Sequence, residues 1–425
     1  MEGEMVIQAV VENRFGGPLP IIETYPTLHM LVRSDRPQFI GALIAKGAHV
    51  ERRLKGMTPL HYAIVAPGVA RRKACVEALI EGGADVEAVL DDANAKLYEI
   101  GCTPILLTLS YRMRPFALCA ALIAAGCDVG ATDSSGDTAL HLACDLGQLD
   151  VVRALIEASA DINARSKHSR TPLHAAAGLG NLGVVKFLIE SGADLTLLDR
   201  AGQTPLFHAC PIPFEDTADA TVVLALLDAE KAAGTVSVNA ADLDGFIPLH
   251  LAAGSGSLNA INALIAAGSE VSRQTTGGGD FYNCGGMTPL HCVVGEHDDD
   301  EDEARAECVA ALIKAGASLD LRDHSFSTPI QDAAENGLVE CAGVLVAAEK
   351  RRFLSRLLAD CLPLPKDLQL VVLDFVLSLN GELGEFTDSE SEDSDEEASE
   401  EDESDDDAND DDEERTVESD GTGDY

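Results

Sequence analysis

The chain is predicted to be an all-α solenoid of about nine helix-turn-helix repeats, and three observations predict it. A Thr-Pro-Leu-His tetrad recurs at Thr58–His61, Thr171–His174 and Thr288–His291, with Thr138-Ala139-Leu140-His141 a near copy. From Thr138 to Thr171 to Thr204 the spacing is about 33 residues, a period that marks stacked repeats rather than a single core. A second apolar stretch follows each copy, as Val151-Val152-Arg153-Ala154-Leu155-Ile156 and Val184-Val185-Lys186-Phe187-Leu188-Ile189 show.

The logic of one unit is local. In Arg170-Thr171-Pro172-Leu173-His174-Ala175-Ala176-Ala177, the Thr171 hydroxyl suits an N-cap. Pro172 suits the first helical position, where a missing N–H costs nothing. Leu173 begins an apolar stripe, and the alanines let a neighbouring helix lie close. His174 is placed to bond back toward the capping threonine. After the second helix, Gly192 suits a left-handed stop. One such unit cannot bury its own apolar face, so the chain repeats it.

Taken in order, residues 1–24 form a lead-in or partial cap and residues 25–349 the array. A degenerate copy, Thr27-Leu28-His29, opens repeat one, with Phe39–Ala45 as its second helix. Repeat two starts at Thr58. A longer connection, Glu87–Gly101, leads to Thr103-Pro104-Ile105. Repeats four to seven start at Thr138, Thr171, Thr204 and Ile247. Repeat six carries a Pro211–Asp216 insert, and repeat seven ends in a Gly-rich Thr275–Asp280 tip. Repeat eight carries an acidic His297–Glu303 insert. Repeat nine, Thr328 to about Lys350, is followed by helical stretches at Arg351–Leu358 and Leu368–Leu377, within a segment 350–385. Residues 386–425 are Asp, Glu and Ser with almost no apolar side chains; they cannot offset their ordering entropy and are expected to be disordered.

These motifs resemble the ankyrin-repeat family over about residues 25–349. The resemblance implies a non-enzymatic protein-binding adaptor that contacts partners through its hairpin tips and first-helix face. Just before the repeat motifs stand Arg52, Arg53 and Lys55; Arg165, Lys167, His168 and Arg170; Arg200; Asp242 and Asp244; and Arg322. Most are cationic on an acidic chain, which points to an acidic partner at the tips. The segment with Leu364, Pro365, Leu368, Leu373 and Phe375 resembles the start of an F-box and the end of a SOCS box. That resemblance implies docking of a ligase adaptor and a substrate receptor of a cullin-type ubiquitin ligase. The alternative reading is a helical cap on the last repeat. Ser389, Ser394, Ser399 and Ser404 each precede an acidic residue by three positions and resemble casein-kinase sites. The tail is read either as a solubiliser or as a nucleic-acid mimic occupying a basic partner. A further reading has it transiently covering the cationic tips.

Composition bounds the rest. The formal net charge of the 425 residues is −43, and roughly half of that excess lies in the last 40 or so residues, so direct nucleic-acid binding is not expected. Trp is absent and Phe and Tyr are scarce, as suits Ala/Leu/Val helices. Eleven cysteines without a CxxC pair read as reduced thiols of a cytoplasmic or nuclear protein. The N-terminus has no secretory pattern, and the apolar run Leu368–Leu379 is too short to span a bilayer. No membrane association is expected, and a monomer is. Because His61, His141, His174, His250 and His291 share one slot, they read as structural hydrogen bonders. Cys284, His291, Cys292 and His297 fit no common zinc spacing. No phosphate-cradling loop or nucleophile elbow appears, so no catalytic residue, metal or cofactor is expected.

Overall fold

The computed structural model describes residues 27–65, 72–90, 101–110, 116–210, 220–277, 285–295 and 302–361, with side chains to residue 356. The described residues form nine helix pairs. Repeats one to three are α1 (Thr27–Arg33) with α2 (Ile40–Ala45), α3 (Pro59–Val65) with α4 (Arg72–Glu81), and α5 (Pro104–Ser110) with α6 (Phe116–Ala124). Repeats four to six are α7 (Ala139–Asp145) with α8 (Leu149–Glu157), α9 (Pro172–Gly178) with α10 (Leu182–Glu190), and α11 (Pro205–Ala209) with α12 (Thr221–Ala233). Repeats seven to nine are α13 (Pro248–Gly254) with α14 (Leu258–Ala266), α15 (Pro289–Val293) with α16 (Asp302–Lys314), and α17 (Pro329–Glu335) with α18 (Val339–Cys361). A single 3₁₀ turn, Pro37–Phe39, leads into α2, where the sequence suggests one continuous helix from Phe39.

Each first helix starts as the sequence dictates. Thr138, Thr171, Thr204, Thr288 and Thr328 hold extended φ/ψ angles, with proline at the first helical position in all but the Thr138 copy. Ile247 takes the same conformation without a hydroxyl to offer. The next side chain is the core: Leu60, Leu140, Leu173, Leu206, Leu249 and Leu290 are each at most 1% exposed. Val152, Val185, Val223, Ile261 and Val309 bury the second helices in turn. First helices stack on first helices and second on second, so one apolar layer runs through the array. Gly192 ends α10 at φ +89°, the left-handed stop its position calls for.

Polar clips join successive repeats. Asn181 at the start of α10 donates to the Cys144 and Asp145 carbonyls at the end of α7, at 2.8 and 3.3 Å. Asn336 does the same to Val294 at 2.7 Å. Arg305, only 2% exposed, reaches the Gly254 and Val293 carbonyls. Asp302 accepts from the Glu340 and Cys341 amides at the start of α18. On the second-helix side, Glu51, Glu87, Asn163 and Asn239 each accept a backbone N–H from the following repeat at 2.6–2.9 Å.

One expectation is corrected here. Arg351–Leu358 is not a separate helix after repeat nine; it continues α18, a single 23-residue helix from Val339 to Cys361. No proline lies between Val339 and Cys361, and no glycine lies between Val344 and Cys361, so nothing in the sequence stops the helix at Lys350. The chain divides after Lys350, and the array lies in the first unit. The 1–24 lead-in, most of the 87–101 connection and the 211–216 insert lie outside the described residues. So do Asp280, 297–301 and everything beyond 361, including Leu364, Pro365, Leu368, Leu373, Phe375 and the four tail serines.

Candidate protein-binding surface

The shared histidine slot does more than cap. In repeats four, five and eight the cap residue's backbone N–H donates to the ring Nδ1 at 3.1 Å, and the threonine hydroxyl lies 2.7–2.9 Å from the same nitrogen. Nδ1 is therefore the acceptor, and Nε2 carries the proton. That Nε2–H donates across to the next repeat: His141 to the Arg170 carbonyl at 3.0 Å, His174 to Gln203 at 3.1 Å, and His291 to Ser327 at 3.2 Å. His250 reaches Arg273 at 3.0 Å, and His29 reaches Met57 at 3.1 Å. His61, His174 and His250 are held neutral. Burial, with Arg53 beside His61, brings that histidine down to about 4; burial, with His208 beside His174, does the same there; burial alone dominates at His250, also about 4.

Repeat one explains its own exception. Three residues before His29 stands Pro26, which has neither N–H nor hydroxyl, and the His29 Nδ1 has no partner. Repeat six carries Phe207 in the histidine slot. There His208 instead meets Asp199, with Nε2 2.9 Å from the carboxylate. Burial holds His208 below its usual range against the pull of that carboxylate. Burial pushes Asp199 up, but the bonds from His208, Gln203 and Ala201 outweigh it and its pKa lies below the carboxylate norm.

The tips are built as turns closed by one carboxylate. Asp133, Asp199 and Asp242 each accept two backbone N–H groups, two and four residues ahead, at 2.8–3.0 Å. Asp323 accepts one, from Ser327, at 2.8 Å. Adjacent tips are then zipped backbone to backbone: Lys167 N to Ser135 O at 3.0 Å, Arg200 N to His168 O at 2.8 Å, Leu243 N to Ala201 O at 3.0 Å, and His324 N to Gly285 O at 2.8 Å. The tips thus form one continuous edge rather than independent loops.

On that edge the sequence-predicted residues divide into three kinds. Arg52, Lys55, His168 and Arg200 are exposed. Arg53, Arg165, Lys167 and Arg322 are also exposed, but each spends part of its charge on a carbonyl: Val89, Leu198, Ser134 and Phe326 respectively, at 2.5–2.7 Å. Arg170, Asp242 and Asp244 do not project freely and are half-buried. Asp242 accepts from Gln203 as well as closing its own turn, and burial holds its carboxyl above the usual range against those bonds. The zipper brings Arg165, Lys167, His168 and Arg200 onto neighbouring tips of repeats five and six. The sequence reading missed Asp133, Asp199 and Asp323 as turn-closing groups. Their signal was an aspartate five residues before the helix-capping threonine.

Other candidate chemistry is committed to the fold. His291 is held by Thr288 and Ser327. Cys119, Cys210 and Cys341 are buried, and burial pushes them up to about 12, so these thiols stay protonated and unreactive. Cys284 and His297 lie outside the described residues. Among the described residues, no helix is long and apolar enough to cross a membrane.

Family comparisons agree with this geometry. A family model described as ankyrin repeats (3 copies) matches residues 106–199, and the single ankyrin-repeat model matches 55–91, 244–276 and 285–324. No curated protein matches the chain. With nine stacked helix pairs, capped first helices and a zipped hairpin edge among the described residues, the array is built of ankyrin repeats.

Proposed function

We propose that the chain is a non-enzymatic protein-binding adaptor whose fifth and sixth tips take an acidic segment of a partner. The observation that carries this reading is the alignment of Arg165, Lys167, His168 and Arg200 along a backbone-zipped edge. The zipper holds the tip backbones in place before binding, so less ordering entropy is lost on association. Ankyrin repeats are protein-interaction scaffolds, and eleven cysteines without a CxxC pair support a reducing compartment, cytoplasmic or nuclear.

The test is a triple charge reversal, Arg165→Glu, Lys167→Glu and Arg200→Glu, measured against a partner identified by proximity labelling. Exposed charge pairs contribute about 0.2–1 kcal/mol each, so three reversals lower affinity by about tenfold or more. The loss is largest at low salt, because exposed charges are screened over about 8 Å at physiological ionic strength. Equal affinity of both proteins at low salt rejects the reading. Two extensions come from sequence alone: recruitment of a ligase adaptor through 362–379, and capture of a basic partner by the acidic tail. Pull-downs with 362–379 or 387–425 deleted separate them.

A further inference from the structure

Eight hairpin tips carry a residue in the left-handed region two positions before the helix-capping residue. In six it is glycine: Gly56, Gly101, Gly136, Gly202, Gly245 and Gly286, with φ between +75° and +84°. Glycine suits the slot because a Cβ crowds the backbone there. Repeat five substitutes a small residue, Ser169 at φ +59°. Repeat nine substitutes Phe326, at φ +64°. Phe326 is the one aromatic with positive φ among the described residues, and for a bulky side chain that conformation is an outlier.

Burial does not offset the strain, because the Phe326 side chain is 77% exposed. The backbone beneath it is held from several sides. Phe326 N donates to Asp323 O at 3.1 Å, and the Ser327 amide donates to the Asp323 carboxylate at 2.8 Å. Arg322 Nη1 donates to the Phe326 carbonyl at 2.5 Å. His324 N donates to Gly285 O at 2.8 Å, and the His324 ring lies so close over Gly285 that it leaves no room for a Cβ there. Surroundings that over-determine a strained residue are the circumstance in which strain accompanies function. A large ring on a fixed backbone loses little entropy when a partner covers it, which is the character of an interface anchor. Two donors stand beside it: the Arg322 guanidinium, which is positive, and the His324 ring, both exposed. Of the acidic residues in the same hairpin, Asp323 closes the turn and Asp320 already has a partner within the fold.

We propose that Phe326 anchors a docking surface on the ninth tip, and that its occupant is an acidic peptide segment of a partner protein that seats an apolar side chain against the ring. Arg322 and His324 meet the flanking carboxylates. The proposal rests on the reading of the tips as the partner-facing edge and extends that edge to its last described member.

The experiment is a selection from a random peptide display library on the full chain. Affinities of the selected peptides are then measured for the wild type, for Phe326→Gly, and for the Arg165→Glu/Arg200→Glu pair. Selected peptides are expected to carry an apolar residue flanked by Asp or Glu and to lose at least about tenfold in affinity on Phe326→Gly. In the same variant the urea midpoint is expected to rise, because glycine relieves the left-handed strain. The combination of a firmer fold and weaker binding is what a purely structural phenylalanine would not give. Undiminished binding by Phe326→Gly overturns the proposal, and so does a lowered midpoint, which would make the ring structural. A library that yields no acidic-apolar peptide also overturns it. Peptides lost on Arg165→Glu/Arg200→Glu but not on Phe326→Gly would leave the proposed function standing and remove only this inference. Peptides indifferent to both variants would remove both.

Discussion

Lowering the pH from 7 to 5 at constant ionic strength is expected to cut the folding stability of the array by several kcal/mol, before the carboxylates titrate. The cause is the set of buried, neutral histidines in the repeat slot. His61, His174 and His250 have folded pKa values of about 4 against an ordinary 6.5. A depressed histidine pKa means that the unfolded chain binds the proton more readily. Their contribution is therefore complete above pH 6.5 and is lost as the pH falls toward 4. By pH 5 each forfeits about 2 kcal/mol, or about 6 kcal/mol for the three, at about 1.4 kcal/mol per pKa unit. His29 and His291, also lowered chiefly by burial, add in the same direction. Asp137, Asp242 and Asp332 work the opposite way. Burial raises each of them, and their cost at neutral pH is relieved only as the carboxylate range is approached. The fall between pH 6.5 and 5 thus belongs to the histidines. Urea midpoints measured across that range check it. The discriminating variant is His174→Phe, which copies the residue that repeat six carries at Phe207. It is expected to remove about a third of the three-histidine slope whatever it does to the absolute midpoint. An unchanged slope would place the titrating groups elsewhere.

That the histidines were structural was legible in the sequence, because five of them fall at one position in a repeating tetrad. What each does with its second nitrogen was not. In His141, His174, His250 and His291, Nε2 meets a carbonyl 23–37 residues away, and only the stacking of one repeat on the next brings the two together. The same division runs through the tips. Their places could be read from the motif spacing, and the charged residues on them could be counted. The sequence does not say that the Asp242 carboxylate turns inward to close a turn while Arg200 stays exposed, since both are charged residues in hairpins. The fate of each is set by position within the turn: the first residue can accept the N–H groups two and four ahead, whereas the second points away from them. Phe326 escaped notice for a related reason. Its oddity is a backbone angle, and it shows only when Gly136, Gly202 and Gly245 are seen to fill the same slot. Arg351–Leu358 joins α18 because no helix-breaking residue stands between Lys350 and Leu358 to end it.

Replacing Leu173 with alanine is expected to cost about 2–5 kcal/mol, the range for truncating a buried leucine whose surroundings cannot fully collapse. Leu173 is 1% exposed, and its helix α9 lies between α7 and α11. The stability of a solenoid is approximately a sum of repeat and nearest-neighbour interface contributions. A cavity in a middle repeat therefore weakens two interfaces as well as the repeat itself. The backbone has little freedom to close it. Thr171 and His174 pin the start of α9, Asn181 ties the start of α10 to the repeat before, and the His174 Nε2–H is fastened to Gln203 in the repeat after. Arg200, 27 residues on, is the contrasting case. Its side chain is exposed at a tip, and its one clip is made by the backbone N–H, which alanine keeps. Arg200→Ala is expected to change stability by less than about 0.5 kcal/mol. Urea unfolding of the two variants beside the wild type measures both values. A large loss for Arg200→Ala together with a small one for Leu173→Ala would mean that the tip edge, rather than the leucine layer through the first helices, holds the repeats together.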